Sequence, residues 1–125
     1  MAKLADLAEK LDLEVRAARG YLDNEVTGGY ASDLLSDVIA NSREGDLWVT
    51  LQVHQNIVAV ASMKDLAGII LVNGREPQED TVQKAETANI PIMVSRLPTF
   101  ELVGKLSSLG VRGAALPDAT RPGKS

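Results

Sequence analysis

Apolar residues recur along the first part of the chain at spacings that change from a helical to an extended period. Leu4, Leu7, Ala8 and Leu11 fall on one side of a helix, with charged residues on the other side. The stretch DLEVRAA at 12–18 then alternates between apolar and polar positions, as a strand does. The pattern therefore predicts a helix followed by a strand.

The rest of the chain alternates in the same way between the two kinds of element. The pattern predicts strands at 47–53, 68–72 and 90–94. It predicts helices at 34–41, 56–66 and 79–89, and a last helix from Pro98 that buries Phe100, Leu102, Val103, Leu106 and Leu109. An additional edge strand is predicted at 111–116. Such alternation is typical of βαβ units, so we expect an α/β fold in three α/β/α layers with a mainly parallel central sheet.

The segment Ile57–Met63 is apolar around most of its circumference, which is unusual for a helix on the surface of one domain. Such a helix is buried on more than one side. Two interpretations follow: it lies in the core, or it meets a second subunit in a homodimer.

Composition narrows the class of protein. A chain of 125 residues is the size of one domain, which we place at 1–115, with a disordered tail at 116–125. The net charge of −4 argues against nucleic acid as a partner. With no cysteine and one histidine, we expect no metal site and no cofactor. No apolar stretch approaches the roughly 20 residues that span a membrane, so we expect a cytoplasmic protein without a membrane partner.

Polar residues follow each predicted strand, and ligands in α/β sheets collect beyond the carboxyl ends of strands. The rule selects three groups as a ligand site: Thr27, Gly28 and Gly29; Gln52, His54 and Asn56; and Asn73, Gly74 and Arg75. It also selects Ser95 and Arg96. His54 has the only side chain in the set whose ordinary pKa lies near neutrality, so it is the leading contact or sensing residue.

The two glycines Gly28 and Gly29 precede a predicted helix that Ser32 is placed to cap. The stretch TGGYAS lacks the lysine of a GxxxxGK[ST] phosphate loop, and it does not contain GxGxxG. Two interpretations stay open: a tight turn in which the glycines take a positive φ, or a turn that holds a ligand at the amino end of the helix.

The segments EVTGGYASDLLSDVIANSREGDLWVT and QVHQNIVAVASMKDLAGIILVNGREP resemble the DRTGG domain family. Thr27, Gly28 and Gly29 match the name of the family, whereas Glu25 and Val26 stand where it has aspartate and arginine. The resemblance implies a fold similar to the N-terminal domains of HPr kinase/phosphorylase and of MurF. It also implies an accessory, regulatory module that self-associates, and it supplies no catalytic residues.

The leading hypothesis is a non-enzymatic regulatory module that forms a homodimer and binds a small anionic or nucleotide-like ligand at the strand ends. An enzyme is the rival from another class, and it would need a titratable group with a strongly shifted pKa in a deep pocket. A third hypothesis is a structural module that binds a protein partner through an apolar surface.

Overall fold

The computed structural model describes residues 2–114. The predicted disordered tail and the domain boundary at 115 lie outside these residues. Residues 111–114 of the edge strand predicted at 111–116 do not form a strand, and the rest of that segment also lies outside the described residues.

The elements alternate along the chain much as the apolar pattern predicts. Their bounds, in chain order, are β1 Ala2–Lys3, α1 Leu4–Lys10, β2 Glu14–Ala17, β3 Glu25–Val26, β4 Gly28–Ala31, α2 Leu35–Asn41, β5 Asp46–Thr50, α3 Asn56–Met63, β6 Gly68–Leu71, α4 Glu79–Ala88, β7 Ile92–Val94 and α5 Thr99–Ser108. One turn of 3-10 helix, Arg19–Tyr21, follows β2.

The central sheet has five strands in the order β2-β7-β6-β5-β4. Strands β4 to β7 are parallel, and β2 joins one edge antiparallel to β7. The short strands β1 and β3 form a separate antiparallel pair. The predicted α/β fold with a mainly parallel sheet is confirmed.

Each face of the sheet is covered by helices, because successive strand residues point to opposite sides. One face packs against α2, α3 and α4 through residues such as Trp48, Ile69 and Ile92. The other face packs against α1 and α5 through residues such as Leu47 and Ile70. These are the three layers that the pattern predicts.

Two predictions about helices need correction. Leu102 and Leu106 of α5 are buried, but the side chain of Phe100 is 87% exposed and that of Val103 is 39% exposed. Helix α2 begins after Leu34 without a side-chain cap, because Ser32 Oγ accepts a hydrogen bond from the Leu34 N–H outside the helix, at 3.2 Å.

The burial of four apolar residues shows where helix α3 packs. Ile57, Val58, Val60 and Ala61 are buried in the core between the sheet and the neighbouring helices. Helix α3 is therefore a core helix within a single chain.

Candidate functional site

The carboxyl ends of the parallel strands lie side by side along one side of the sheet. We call this side, where the strands end, the carboxyl edge. Their last residues are Ala31, Thr50, Leu71 and Val94. Strand β2 runs in the opposite direction, so its first residue, Glu14, pairs with Val94 at the same edge. The loops after β4 to β7 and the turn before β2 therefore lie together there.

Two of these loops are held to each other by Asp33. Its Oδ1 accepts hydrogen bonds from the hydroxyl of Thr50 at 2.9 Å and from the N–H of Leu51 at 2.7 Å. The side-chain amide of Gln52 donates to the Asp33 carbonyl at 2.8 Å. Gln52 thus helps to hold the loop after β4 against the loop after β5.

His54 lies exposed in the loop after β5. Its Nδ1 is 3.1 Å from Oε1 of Gln78, in the loop that precedes α4. A hydrogen on Nδ1 allows the ring to donate to this amide oxygen, which leaves Nε2 facing away from that bond. Asn56, also exposed, is the first residue of α3.

Asn73 and Gly74 form a left-handed turn after β6, with φ of 58° and 66°. Their N–H groups donate to the carbonyls of Leu97 at 2.9 Å and Ser95 at 2.8 Å. The turn therefore supports the segment after β7, and both amides are already used. Arg75 is exposed beside it.

Thr27, Gly28 and Gly29 lie at the amino ends of the parallel strands, on the side of the sheet opposite to the carboxyl edge. Gly28 and Gly29 belong to β4, and Gly28 pairs with Asp46, the first residue of β5. Neither glycine has a positive φ, so the predicted turn into a helix is wrong. The residues selected by the strand-end rule therefore do not form one site, because Gly28 and Gly29 begin a strand instead of following one.

The glycines allow close packing instead of a turn. A Cβ atom at Gly28 would lie 2.6 Å from Oδ1 of Asp46 and 3.1 Å from the carbonyl oxygen of Arg112. A Cβ atom at Gly29 would lie 3.2 Å from Cγ1 of Val111, and the Gly29 N–H donates to the Arg112 carbonyl at 3.0 Å. The chain after α5 therefore packs directly against the backbone of the edge strand β4, at the two positions that have no side chain.

A pocket of about 760 Å³ lies between α1 and α5 and reaches the carboxyl edge at the end of β7. We call it the α1–α5 pocket. Its cationic side chains are Lys10, Arg96 and Lys105, and its acidic ones are Asp12 and Glu14. The wall includes apolar parts of Leu11, Leu97 and Leu109.

The charge in this pocket is predominantly positive. Within residues 2–114, Lys10, Arg96 and Lys105 make no ion pair. Glu14 is paired with Arg16 at 2.9 Å, and Arg16 also bonds to Glu76 at 2.7 Å. These bonds, first that with Glu76, raise the pKa of Arg16, and the same guanidinium lowers the pKa of Glu76. Part of the acidic charge is thus already neutralised.

The strand-end rule selected Arg96 and Ser95, which line this pocket, but it missed Lys10 and Lys105. Each of these lysines lies in the last turn of a helix. A basic residue there interacts favourably with the helix dipole, so its position alone does not indicate a ligand site. Only the packing of α1 beside α5 brings the two lysines to one cavity.

The described residues contain no arrangement of nucleophile and base around His54. The hydroxyl of Ser95 accepts a hydrogen bond from the Leu97 N–H, and His54 bonds to Gln78. Asp33 lies in the loop before α2, whereas Asp37 lies within α2 and accepts hydrogen bonds from Tyr30 and Asn41. Within residues 2–114, no three acidic or histidine side chains are grouped to hold a metal ion.

The fold is similar to that of the CBS and DRTGG domains of the regulatory region of a Clostridium perfringens pyrophosphatase, with a TM-score of 0.66 and 14% identity. The match covers 82% of this chain and 44% of that one, so this chain spans less than half of its length. That protein was solved in complex with an activator, diadenosine tetraphosphate. The resemblance to DRTGG domains is confirmed at the level of the fold.

No protein-family model matches the sequence, and no curated protein matches it. Among residues 2–114, no helix combines the length and the apolar character that crossing a membrane requires.

Proposed function

We propose that the protein is a non-enzymatic regulatory module that binds a small anionic, nucleotide-like ligand in the α1–α5 pocket and associates with a second copy. The observation that supports the ligand is a set of three cationic side chains around a cavity at the carboxyl edge, Lys10, Arg96 and Lys105, none of which has an ion-pair partner among residues 2–114. Phosphate groups are bound by such side chains through charge-assisted hydrogen bonds. The nucleotide activator bound to the structural neighbour is consistent with this ligand class.

The size and lining of the pocket suit a ligand with both a charged and an apolar part. A volume of about 760 Å³ lies within the range of small-molecule sites. The apolar surface of Leu11, Leu97 and Leu109 offers contact to a base or a similar ring. Arg96 projects from the segment that Asn73 and Gly74 support, so the turn after β6 positions one of the cationic groups.

Further residues on the carboxyl edge are proposed to contact the part of a longer ligand outside the pocket. Gln52, His54 and Asn56 follow β5, which lies two strands from β7 in the sheet order. Two strand spacings amount to roughly 10 Å. Arg75 lies between these positions and the pocket. Thr27, Gly28 and Gly29 are left out of this site because they lie at the opposite edge.

Regulation by such a module requires that the ligand favour one arrangement of the protein over another. The pocket is bounded by α1, by α5 and by the segment after β7, so no single element forms it. A ligand that bonds to Lys10 and Lys105 together holds α1 and α5 at a defined separation. The proposed signal is therefore a change in the position or rigidity of α5.

An enzyme is not favoured by the site. Among the described groups whose pKa is shifted, Asp46, Asp37 and Tyr30 lie away from the α1–α5 pocket. Acid or base chemistry would be indicated by a titratable group inside the pocket with a strongly shifted pKa. The exposed Phe100 favours a second candidate, a module that binds a protein partner with no small ligand.

Isothermal titration calorimetry with ATP, diadenosine tetraphosphate and inorganic pyrophosphate tests the ligand proposal. We expect saturable binding by the wild-type protein and at least tenfold weaker binding by Arg96→Gln and Lys105→Gln, because each loses a charge-assisted hydrogen bond. Lys84→Gln is the matched control, since Lys84 is an exposed lysine of α4 outside the pocket. Absence of binding, or equal losses in all three variants, would contradict the proposed site.

A further inference from the structure

Asp12 is an acidic residue of the α1–α5 pocket whose carboxylate is not used within the protein. It is exposed, and within residues 2–114 its side chain makes no hydrogen bond and no ion pair. Glu14, the other acid of the pocket, is already paired with Arg16 at 2.9 Å. The pocket therefore combines three cationic groups with one carboxylate that no described side chain neutralises.

The antiparallel ladder between β2 and β7 brings Asp12 and Arg96 to one cavity. Glu14 pairs with Val94 in that ladder. Asp12 stands two residues before Glu14 and Arg96 two residues after Val94, and both line the pocket. No nitrogen of Arg96 lies within 4.0 Å of a carboxylate oxygen of Asp12. Opposite charges therefore line the cavity without closing it through an ion pair.

The backbone fixes the position of Asp12 at the end of α1. Its φ is 54°, and the N–H of Leu13 donates to the Ala8 carbonyl at 2.9 Å. This is a common left-handed end of a helix, and aspartate and asparagine both tolerate it. A negative charge at the carboxyl end of a helix interacts unfavourably with the helix dipole. Termination of α1 therefore explains the conformation of Asp12 but does not require its charge.

Asp65 has the same conformation in different surroundings. It follows α3 with φ of 53°, and the next residue donates the equivalent backbone hydrogen bond, also at 2.9 Å. The cavity beside it contains Glu25 and Glu44 and has no lysine or arginine among its described residues. A left-handed aspartate by itself therefore does not indicate a ligand site. Asp12 differs because three cationic side chains line the same cavity.

A carboxylate among cations selects between kinds of anionic ligand. It only accepts hydrogen bonds, whereas inorganic pyrophosphate has few hydrogens to donate at neutral pH. Pyrophosphate is therefore attracted by the cations and repelled by Asp12. A ligand that carries hydroxyl groups as well as phosphates bonds to both kinds of side chain. Acidic residues that bond to a ribose hydroxyl occur in dinucleotide sites of α/β folds.

We propose that Asp12 accepts hydrogen bonds from the ribose hydroxyl groups of the nucleotide and makes the α1–α5 pocket selective for nucleotides over inorganic phosphates. This inference rests on the proposed ligand site and assigns the part of the ligand that the cations do not bind. Phosphates, ribose and base then each have a matching part of the pocket: the three cationic side chains, Asp12, and the apolar surface of Leu11, Leu97 and Leu109.

The selectivity arises from repulsion as well as from attraction. A site that bonds to a hydroxyl group discriminates against an analogue without it, because the acceptor then loses its partner. Asp12 is exposed, so water replaces part of the lost bond. We therefore expect a discrimination of about tenfold, as for one hydrogen bond to a charged group.

Isothermal titration calorimetry with ATP, 2′,3′-dideoxy-ATP and inorganic pyrophosphate tests the role of Asp12. The wild-type protein should bind ATP about tenfold more tightly than the dideoxy analogue. In Asp12→Asn this preference should fall to about threefold or less. Pyrophosphate should bind more tightly to this variant than to the wild-type protein, because the repulsion is removed. A general loss of structure would not strengthen the binding of pyrophosphate.

Asp65→Asn is the matched control, since it makes the same substitution at the same backbone conformation outside the pocket. Its affinities for the three compounds should equal those of the wild-type protein. Thermal unfolding should show that both variants are at least as stable as the wild-type protein. Asparagine tolerates the left-handed conformation, and each substitution removes a negative charge from the carboxyl end of a helix.

Three results overturn the inference in distinguishable ways. Equal binding of ATP and its dideoxy analogue by the wild-type protein shows that the ribose hydroxyls make no contact, while the phosphate site stands. A preference for ATP that persists in Asp12→Asn assigns the ribose contact to another residue. Failure of all three compounds to bind removes the proposed ligand site itself, and the role of Asp12 with it.

Discussion

Gly28 shows how the packing of a single residue decides its role. A methyl group at this position would lie 2.6 Å from Oδ1 of Asp46, so the Asp46 side chain would have to shift, and it would lie 3.1 Å from the carbonyl oxygen of Arg112. We predict that Gly28→Ala lowers the free energy of unfolding by about 1–3 kcal/mol, as overpacking does. Urea denaturation measures it. Gly20→Ala is the control, because no atom lies within 4 Å of its added Cβ; a neutral Gly28→Ala would contradict the packing role.

Asp46 is a buried carboxyl group whose pKa is raised by burial, despite the hydrogen bond from the Arg43 N–H at 2.8 Å. The folded state then binds the proton more tightly than the unfolded state, so stability falls as the pH rises from the ordinary carboxyl pKa through the raised one. Asp46→Asn keeps an oxygen that accepts this bond and cannot ionise.

We therefore predict that the stability of Asp46→Asn relative to the wild-type protein increases as the pH rises through that interval and then becomes constant. Urea denaturation at a series of pH values from about 3 to 8, a range that includes the ordinary carboxyl pKa, measures the difference. A difference that does not change with pH would show that ionisation of Asp46 has no influence on folding.

At the scale of elements, α3 illustrates an ambiguity that burial resolves. Its apolar circumference is compatible with a core helix or an interface helix, and the structure buries Ile57 fully while leaving Met63 63% exposed. We predict that Ile57→Ala costs about 2–5 kcal/mol of unfolding free energy, from lost burial and a residual cavity. Met63→Ala should change it by less than about 0.5 kcal/mol. Equal small effects of both variants in urea denaturation would argue against a core helix.

Helix α5 shows the opposite case, in which an apolar pattern is wider than the buried surface. The apolar residues predicted to be buried are Phe100, Leu102, Val103 and Leu106, together with Leu109 just after its end. With 3.6 residues per turn, a helix on one face of a sheet cannot turn all of these positions toward the core. Leu102 and Leu106 face it, and Phe100 does not.

At the scale of the whole molecule, the position of each strand in the sheet sets its local stability. Strands β5 and β6 are buried along their entire length and are paired on both sides, whereas β4 lies at an edge. We predict that amide hydrogens in β5 and β6 exchange only through global unfolding, while several in β4 exchange faster through local opening. Hydrogen exchange followed by NMR measures these rates; uniform protection in β4, β5 and β6 would contradict the prediction.

Most of the fold could be predicted from the sequence, but only part of the candidate site. Each of the five α-helices in the described part of the chain lies where the apolar pattern predicts one, and so do four of the five strands of the central sheet. Strand β4 was missed because the glycines at 28 and 29 have low strand propensity and resemble a turn. Arg96 was selected correctly as a residue of the carboxyl edge, while Lys10 and Lys105 had no local signal.

The sequence by itself determined the α/β class, the order of the helices and of strands β2, β5, β6 and β7, and the layers that cover the sheet. These features follow from apolar spacing among residues close in the chain, where helical and extended periods differ clearly. Tertiary structure alone decided that β2 is antiparallel, that Gly28 and Gly29 lie in a strand far from His54, and that Lys10, Arg96 and Lys105 surround one pocket. These outcomes depend on contacts between residues that are distant in the chain. The spacing of apolar residues within a short segment does not specify such contacts.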